Sequence, residues 1–378
     1  MGESIRFVDL VQSRIDDFLD ARLSILASIG TELAPIQAFS RDFLSGGKRF
    51  RALFCFWGWQ SVHGADDSTG EGSGVNRLPV ESTSALAPIV SVASALEVFH
   101  AAALVHDDII DNSDTRRGSP AAHRRFERLH LDAGWVGGPD DFGSAAALLF
   151  GDLLLSWSDE LFDDGLQELA SVTGRRAARA EFNRMRIEVT AGQYLDILEE
   201  RAWNTQDETE HLARAERVIV YKSAKYSVEA PLVIGASLAG ATPAQIEALR
   251  SFGLPLGVAY QLRDDLLGVF GDSDVTGKPS GDDLREGKRT VLIALARRAL
   301  TNGQRRIVDE LLGDPDLTPQ QVDMLQRTIR ESGAVEAIET MIAANVDRAV
   351  RAIDVAPLSA QARAQLRELA TTVTRRDF

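Results

Sequence analysis

Apolar residues recur along this chain at helical spacing almost from end to end. Phe7, Leu10, Val11, Ile15, Phe18, Leu19, Leu23 and Leu26 open the pattern, a single stripe stepping by three and four residues. Residues 85–105 and 246–260 read as long apolar helices. Two helix starts are marked by capping boxes: Thr242-Pro243-Ala244-Gln245 and Thr318-Pro319-Gln320-Gln321 each offer an N-cap threonine, a proline at N1 and a glutamine at N3. Two-residue alternation is scarce, and no Asn-Gly or Asp-Gly turn separates two β-rich runs. Three stretches interrupt the pattern: 64–80, rich in Gly, Ser and Asp; 134–143; and the charged 271–289. The periodicity is alike on both sides of each, and no repeat of fixed period is present. The pattern predicts an all-α fold, a single domain over 1–378 built as one large helical bundle.

Composition narrows the partners. The chain has 378 residues, 44% hydrophobic and 26% charged, enough for a sizeable core. A net charge of −15 argues against a nucleic-acid partner. It also requires something cationic between the chain and any phosphorylated ligand, and bound metal is the natural candidate. Cys55 is the sole cysteine, so no internal disulfide forms and a reducing cytoplasm is expected. Asp9, Asp16, Asp17 and Asp20 interrupt any signal-peptide core in 1–29. No unbroken run of about 18 apolar residues is expected. The best, 145–157, is broken by Asp152, so the chain does not read as an integral membrane protein.

Two acidic clusters carry the chemistry. Asp107-Asp108-Ile109-Ile110-Asp111 follows the first apolar helix, and Asp107 and Asp111 project from one face, a turn apart. Like charges at that spacing repel by a few tenths of a kcal/mol, which a divalent cation reverses. Asp264 and Asp265 follow the second apolar helix, with Gly268 one turn on and Asp272, Asp282 and Asp283 in the loop. Carboxylates facing each other across the mouth of a bundle suit magnesium, which keeps waters and takes its other ligands from phosphate. Each run taken singly also reads as a solvated helix end. A calcium loop at Asp272, Asp274, Thr276 and Gly277 is disfavoured by Asp283 at position twelve and by Pro279.

Cations stand at phosphate-binding spacings. Gly46-Gly47-Lys48-Arg49-Phe50-Arg51 follows two glycines with three cations. Asp42 and Arg49 exclude a Walker A loop, and solvated surface is the commoner role for such a run. Arg116-Arg117, Lys222-Ser223, Lys278 and Lys288 add further basic positions. His100 lies two turns before Asp107, where a hydrogen-bonded core role competes with a ligand role.

In order, GGKRFR, HAAALVHDDIIDNSDTRRG, GQYLD at 192–196, YKSAKY, YQLRDDLLGVFGD and GKPSGDDLREGKRT resemble the polyprenyl synthetases, the trans-isoprenyl diphosphate synthases, across about 46–290. The resemblance is greatest to bacterial geranylgeranyl diphosphate synthases. It implies a bundle of the isoprenoid synthase type with a central active-site cavity, working as a homodimer. The implied reaction joins isopentenyl diphosphate to an allylic diphosphate. It implies that Asp107, Asp111, Asp264 and Asp265 serve magnesium, three ions with substrate bound, with Asp282 acting through water and Asp108 completing the first motif. Arg116, Lys222, Gln261 and Lys278 would hold the allylic diphosphate, and Ser223 and Lys288 would also bind substrate. Lys48, Arg51, His100 and Arg117 would hold isopentenyl diphosphate. Gly268 departs from the family, where a third aspartate often sits. Ala102 and Ala103, small where family members ending at C15 carry bulky aromatics, imply a C20 product, with Phe99 as a deeper floor and longer chains as the alternative. A class I terpene cyclase leaves GGKRFR and Arg117 without purpose and lacks its usual second motif around Asp264. A non-catalytic subunit of a prenyl synthase does not explain an intact first motif.

Overall fold

The computed structural model describes residues 4–63, 77–79, 85–116, 118–272 and 280–374. Arg117 and Lys278, and most of the loop 64–80, lie outside them. Helices α1 (Phe7–Ile29), α2 (Ala34–Phe43), α3 (Phe50–His63), α4 (Ala87–Ile110), α5 (Ala122–Ala133), α6 (Pro139–Gln167) and α7 (Val172–Ala202) form the first half. The second half holds α8 (His211–Val218), a π-helical stretch Ile219–Glu229, α9 (Ala230–Leu238) and α10 (Pro243–Phe270). It ends in α11 (Asp282–Glu286), α12 (Val291–Ala299), α13 (Asn302–Leu311), α14 (Pro319–Glu331), α15 (Ala334–Asp354) and α16 (Ala360–Thr374). Strands among the described residues are minimal: Ser4–Arg6 pairs antiparallel with Arg77–Pro79, and Thr115–Arg116 with Ser119–Pro120. The fold is all-α.

The predicted stripe of α1 buries Phe7, Val11, Ile15, Phe18, Leu19 and Leu23. Both predicted capping boxes form, and Thr301 with Gln304 makes a third. The two acidic clusters do not follow their helices but lie on them: α4 continues to Ile110 and α10 to Phe270. The loop predicted at 134–143 is shorter, because Pro139 starts α6 with its missing amide at a position that needs none. One helix bears on the membrane expectation without overturning it. Ala87–Ile110 is long and apolar enough to span a membrane by length and composition, but 78% of its apolar window is buried inside the protein. It is the core helix of the bundle, and its polar residues, among them Glu97 and His100, keep it from reading as one unbroken apolar run.

The core has two parts. The larger gathers α1, α3, α4, α6, α7 and α9; the smaller gathers α12 to α15. Helix α10 serves both, burying Leu249, Phe252 and Leu256 in the first and Leu262 and Leu266 in the second. Helices α3 and α9 touch backbone to backbone: a methyl group added at Gly235 would fall 1.8 Å from the carbonyl oxygen of Cys55, itself buried.

Arg49 is not a surface cation. Its backbone adopts φ +51°, its side chain is 8% exposed, and it donates to Gln12 Oε1 at 2.6 Å and to the Leu44 carbonyl. Glu97, buried on α4, faces it at 3.6 Å and accepts from the Ala52 amide at 2.9 Å. Removing one partner strands a buried charge. Glu97→Ala should therefore lower unfolding free energy by about 3 kcal/mol in a denaturant titration, against well under 1 kcal/mol for the exposed Arg6–Asp9 pair.

Candidate active site

A cavity of about 710 Å³ opens between α4, α7, the π-helical stretch, α10 and the 282–290 segment. Most of the residues singled out in the sequence line it: Lys48, Arg51, His100, Ala103, Asp107, Asp111, Arg116, Lys222, Ser223, Gln261, Asp264, Asp265, Asp282 and Lys288. Three do not. Asp108 is fully buried just behind the wall, while Ala102 and Phe99 are buried in α4 and turn to the core.

The π-helical stretch delivers the basic side. It joins α8 to α9 without a break, widening one long helix where Lys222, Ser223, Tyr226 and Ser227 face the cavity. Glycines on both neighbours allow the approach. A methyl group at Gly192 of α7 would fall 2.3 Å from the Lys222 amide nitrogen, and one at Gly257 of α10 would fall 2.5 Å from the Ala224 carbonyl oxygen.

Two ammonium groups and four carboxylates interlock at the acidic end. Lys222 Nζ lies 2.5 Å from Asp196 Oδ2 and 3.1 Å from Asp107 Oδ1. Lys288 Nζ lies 2.5 Å from Asp111 Oδ2 and 3.3 Å from both Asp196 and Glu200. Gln193 donates to Asp107 Oδ1 at 3.1 Å. The hairpin at 115–120 carries Arg116, whose Nε donates to Asp108 Oδ1 at 2.9 Å. Burial alone would push Asp107 up, but Lys222, Lys288 and Arg116 together hold it below the ordinary carboxylate range. Burial would lower Lys222, and Asp107 and Asp196 outweigh it and hold the ammonium up. Asp111 goes the other way: burial and the neighbouring Asp107 raise it against Lys288.

Across the cavity, Asp264 is exposed and Asp265 buried. Gln261 donates to Asp265 Oδ1 at 2.7 Å, while Oδ2 has no hydrogen-bond partner among the described residues. Burial pushes this carboxyl up to about 7. One turn on, Gly268 leaves a gap that α11 fills: a methyl group there would fall 2.0 Å from Asp283 Oδ2. A loop carboxylate thus stands over the helix position that lacks one.

A third group lies around Tyr226. Its hydroxyl is 2.8 Å from His100 Nδ1, and its ring lies beneath the Arg51 guanidinium at 4.4 Å. Arg51 also donates to Ser227 Oγ at 2.8 Å. Sequence reasoning assigned no role to Tyr226, Asp196, Glu200, Gln193 or Asp283. GQYLD and YKSAKY contain three of them, but only the fold supplies their partners.

Among the described residues no three acidic, histidine or cysteine side chains are grouped closely enough to enclose an ion unaided. The donors nonetheless fit magnesium. They are carboxylate oxygens open to a cavity, two of them now held by ammonium groups, and opposite them a buried Asp265 oxygen without a hydrogen-bond partner among the described residues. An ion that keeps waters and shares phosphate oxygens needs no closed cage.

Residues 34–329 match the family model described as polyprenyl synthetase. The geranylfarnesyl diphosphate synthase of Natronomonas pharaonis is 28% identical over 373 residues, covering 96% of this chain and 98% of that protein. The geranylgeranyl diphosphate synthase of Saccharolobus solfataricus is 26% identical over 329 residues, 87% of this chain and 81% of that protein. The structure is similar to that of geranylgeranyl pyrophosphate synthase from Corynebacterium glutamicum complexed with isoprenyl diphosphate and magnesium. That likeness has a TM-score of 0.87 at 37% identity and covers 98% of this chain and 99% of the other.

Asp265 gives a test by pH and metal. A carboxyl raised to about 7 in the fold favours the protonated native state, so without metal it adds stability as pH falls from about 7 towards 4. Asp107 and Asp196, held low, lose their contribution only below that window. Asp265→Asn should raise the metal-free thermal midpoint at pH 8 by on the order of 2 °C. It should also flatten the rise towards pH 5 and shrink the upward shift that magnesium with inorganic diphosphate gives the parent protein. Melting curves at two pH values, with and without magnesium, read all three.

Proposed function

We propose that this chain, which belongs to the polyprenyl synthetase family and is a prenyl diphosphate synthase, extends allylic diphosphates with isopentenyl diphosphate and ends mainly at geranylgeranyl diphosphate, C20. The observation that carries the reading is one cavity with two cationic sets on it: Lys48, Arg51 and His100 beside Tyr226, and Arg116, Lys222 and Lys288 among the aspartates. Two diphosphates need two such sets; a cyclase needs one. With Arg117 and Lys278, they divide the substrates as the family does.

Asp107, Asp111, Asp264 and Asp265 would hold magnesium, with Asp282 through water. Magnesium bound there supplies positive charge to the departing diphosphate. Arg116 and Lys222 steady the same charge as the allylic C–O bond breaks and its electron pair leaves with the diphosphate. Lys48, Arg51 and His100 hold the isopentenyl double bond where its terminal carbon bonds the allylic C1. A proton then leaves the neighbouring carbon, and the released diphosphate is the base within reach. The apolar faces of α4 and α7 keep water from the cation. Ala103 lines the cavity and offers the tail only a methyl group. The relatives named geranylfarnesyl diphosphate synthases favour C25 as the second reading.

The chain acts as one domain in the cytoplasm, as a homodimer. Leu148 and Leu149 on α6 and Ile187 and Tyr194 on α7 are exposed and would be covered by the second copy.

Asp107→Ala and Asp264→Ala should each cost several orders of magnitude in turnover with an unchanged circular dichroism spectrum. Near-normal turnover of either at saturating magnesium would remove that residue from the metal site. Chromatography of products from isopentenyl diphosphate and each of three primers should give C20 for the parent and C15 for Ala103→Phe, since a ring one turn from Asp107 fills the channel. A parent that stops at C15 contradicts the length reading.

A further inference from the structure

We infer that the hydrogen bond between Ser113 and Glu286 positions the 282–290 segment for the allylic diphosphate, by fastening it to the first aspartate cluster through groups that bind neither metal nor phosphate. The inference rests on the proposed function and adds to it two positioning residues.

The bond joins residues 173 apart, and local structure prepares each end for it. Helix α4 stops at Ile110 with Asp111 as its cap, and Asn112 follows in the left-handed region at φ +54°, which asparagine tolerates. That turn sends the Ser113 amide back to the Asp108 carbonyl oxygen at 3.0 Å and closes the helix end. Ser113, 5% exposed, is thereby fixed against the turn that carries Asp107, Asp108 and Asp111. Its hydroxyl donates to Glu286 Oε1. Glu286 is the last residue of α11 and lines the cavity. The other side of α11 belongs to the second half of the chain. Leu284 is buried, its carbonyl accepts from the Gly313 amide at 2.9 Å, and a methyl group at Gly287 would fall 2.9 Å from Gly313 Cα.

Two polar links thus run from this segment to the first cluster, and substrate would treat them differently. Lys288 Nζ lies 2.5 Å from Asp111 Oδ2, a pair that metal and diphosphate would both compete for. The Ser113 hydroxyl and Glu286 belong to neither set, so their bond would outlast that competition. Glu286 also bears on Arg116: burial would lower that guanidinium, and Asp108, Asp107 and Glu286 outweigh it. One carboxylate therefore stands beside Arg116 and two residues before Lys288, where it fixes the spacing of two cations on opposite sides of the cavity mouth.

Three variants of the full-length protein test this. Ser113→Ala deletes the donor, Glu286→Asp draws the acceptor back by one methylene, and Glu286→Gln keeps an acceptor oxygen at full reach. The first two should each raise the Michaelis constant for the allylic diphosphate about tenfold, the order that a hydrogen bond to a charged group supplies. The constant for isopentenyl diphosphate should stay at the parent value, and Glu286→Gln should leave both there. Calorimetric titration with magnesium and inorganic diphosphate, without turnover, should rank the dissociation constants in the same order. Ser113→Ala combined with Glu286→Asp should be no worse than either alone. Where Ser113→Ala fails to fold, Glu286→Asp against Glu286→Gln carries the test. Unchanged constants in the bond-breaking variants overturn the inference, and so does an equal rise for both substrates, which a generally loosened site would give. Either result leaves the proposed function standing; a parent chain that elongates no primer overturns both.

Discussion

Carboxylates crowd one end of an already acidic bundle, and the rest of the site is organised around offsetting their charge. Asp107, Asp111, Asp196 and Glu200 come from two helices and share two ammonium groups. Buried like charges at that density are affordable only with cations among them. Lys222 and Lys288 supply these, one from the π-helical stretch and one from the segment before α12. The same geometry makes the site responsive. A cation held at Asp107 or Asp111 would take the place of an ammonium group there, and that ammonium would be left to pair with an anion. Metal and diphosphate would thereby be coupled through the chain's own lysines.

That arrangement depends on backbone approach more than on side-chain choice. Lys222 reaches Asp107 because Gly192 and Gly257 let the π-helical stretch lie against α7 and α10. The stretch also turns Tyr226 and Ser227 to the same cavity, so one irregular segment reaches both cationic groups on its wall. A regular helix there would present fewer of these side chains on one face, since five-residue hydrogen bonding widens the turn.

Much of this was legible from residue order. The stripe of α1, two capping boxes and the acidic ends of α4 and α10 were readable because each is a local pattern with a local cause. The π-helical stretch was not, because its residues have ordinary helical preferences and contacts with Gly192 and Gly257 decide its form. Arg49 read as one more surface cation beside Lys48; its left-handed backbone turns it inward to Glu97, and spacing carries no trace of that. Asp196 and Glu200 sit one turn apart on α7 like any solvated pair, and only Lys222 and Lys288, far along the chain, give them partners. Gly268 read as a lost carboxylate, while the fold brings Asp283 over the same place.

Cys55 lies where α3 meets Gly235, and it is the chain's only thiol. Burial pushes that thiol far up, so no reactive thiolate exists while the two helices stay in contact. A sulfhydryl reagent can modify it only after α3 and α9 separate. The unaltered protein thus carries its own clock for core opening: the labelling rate counts excursions of a helix pair in backbone contact, with no engineered reporter.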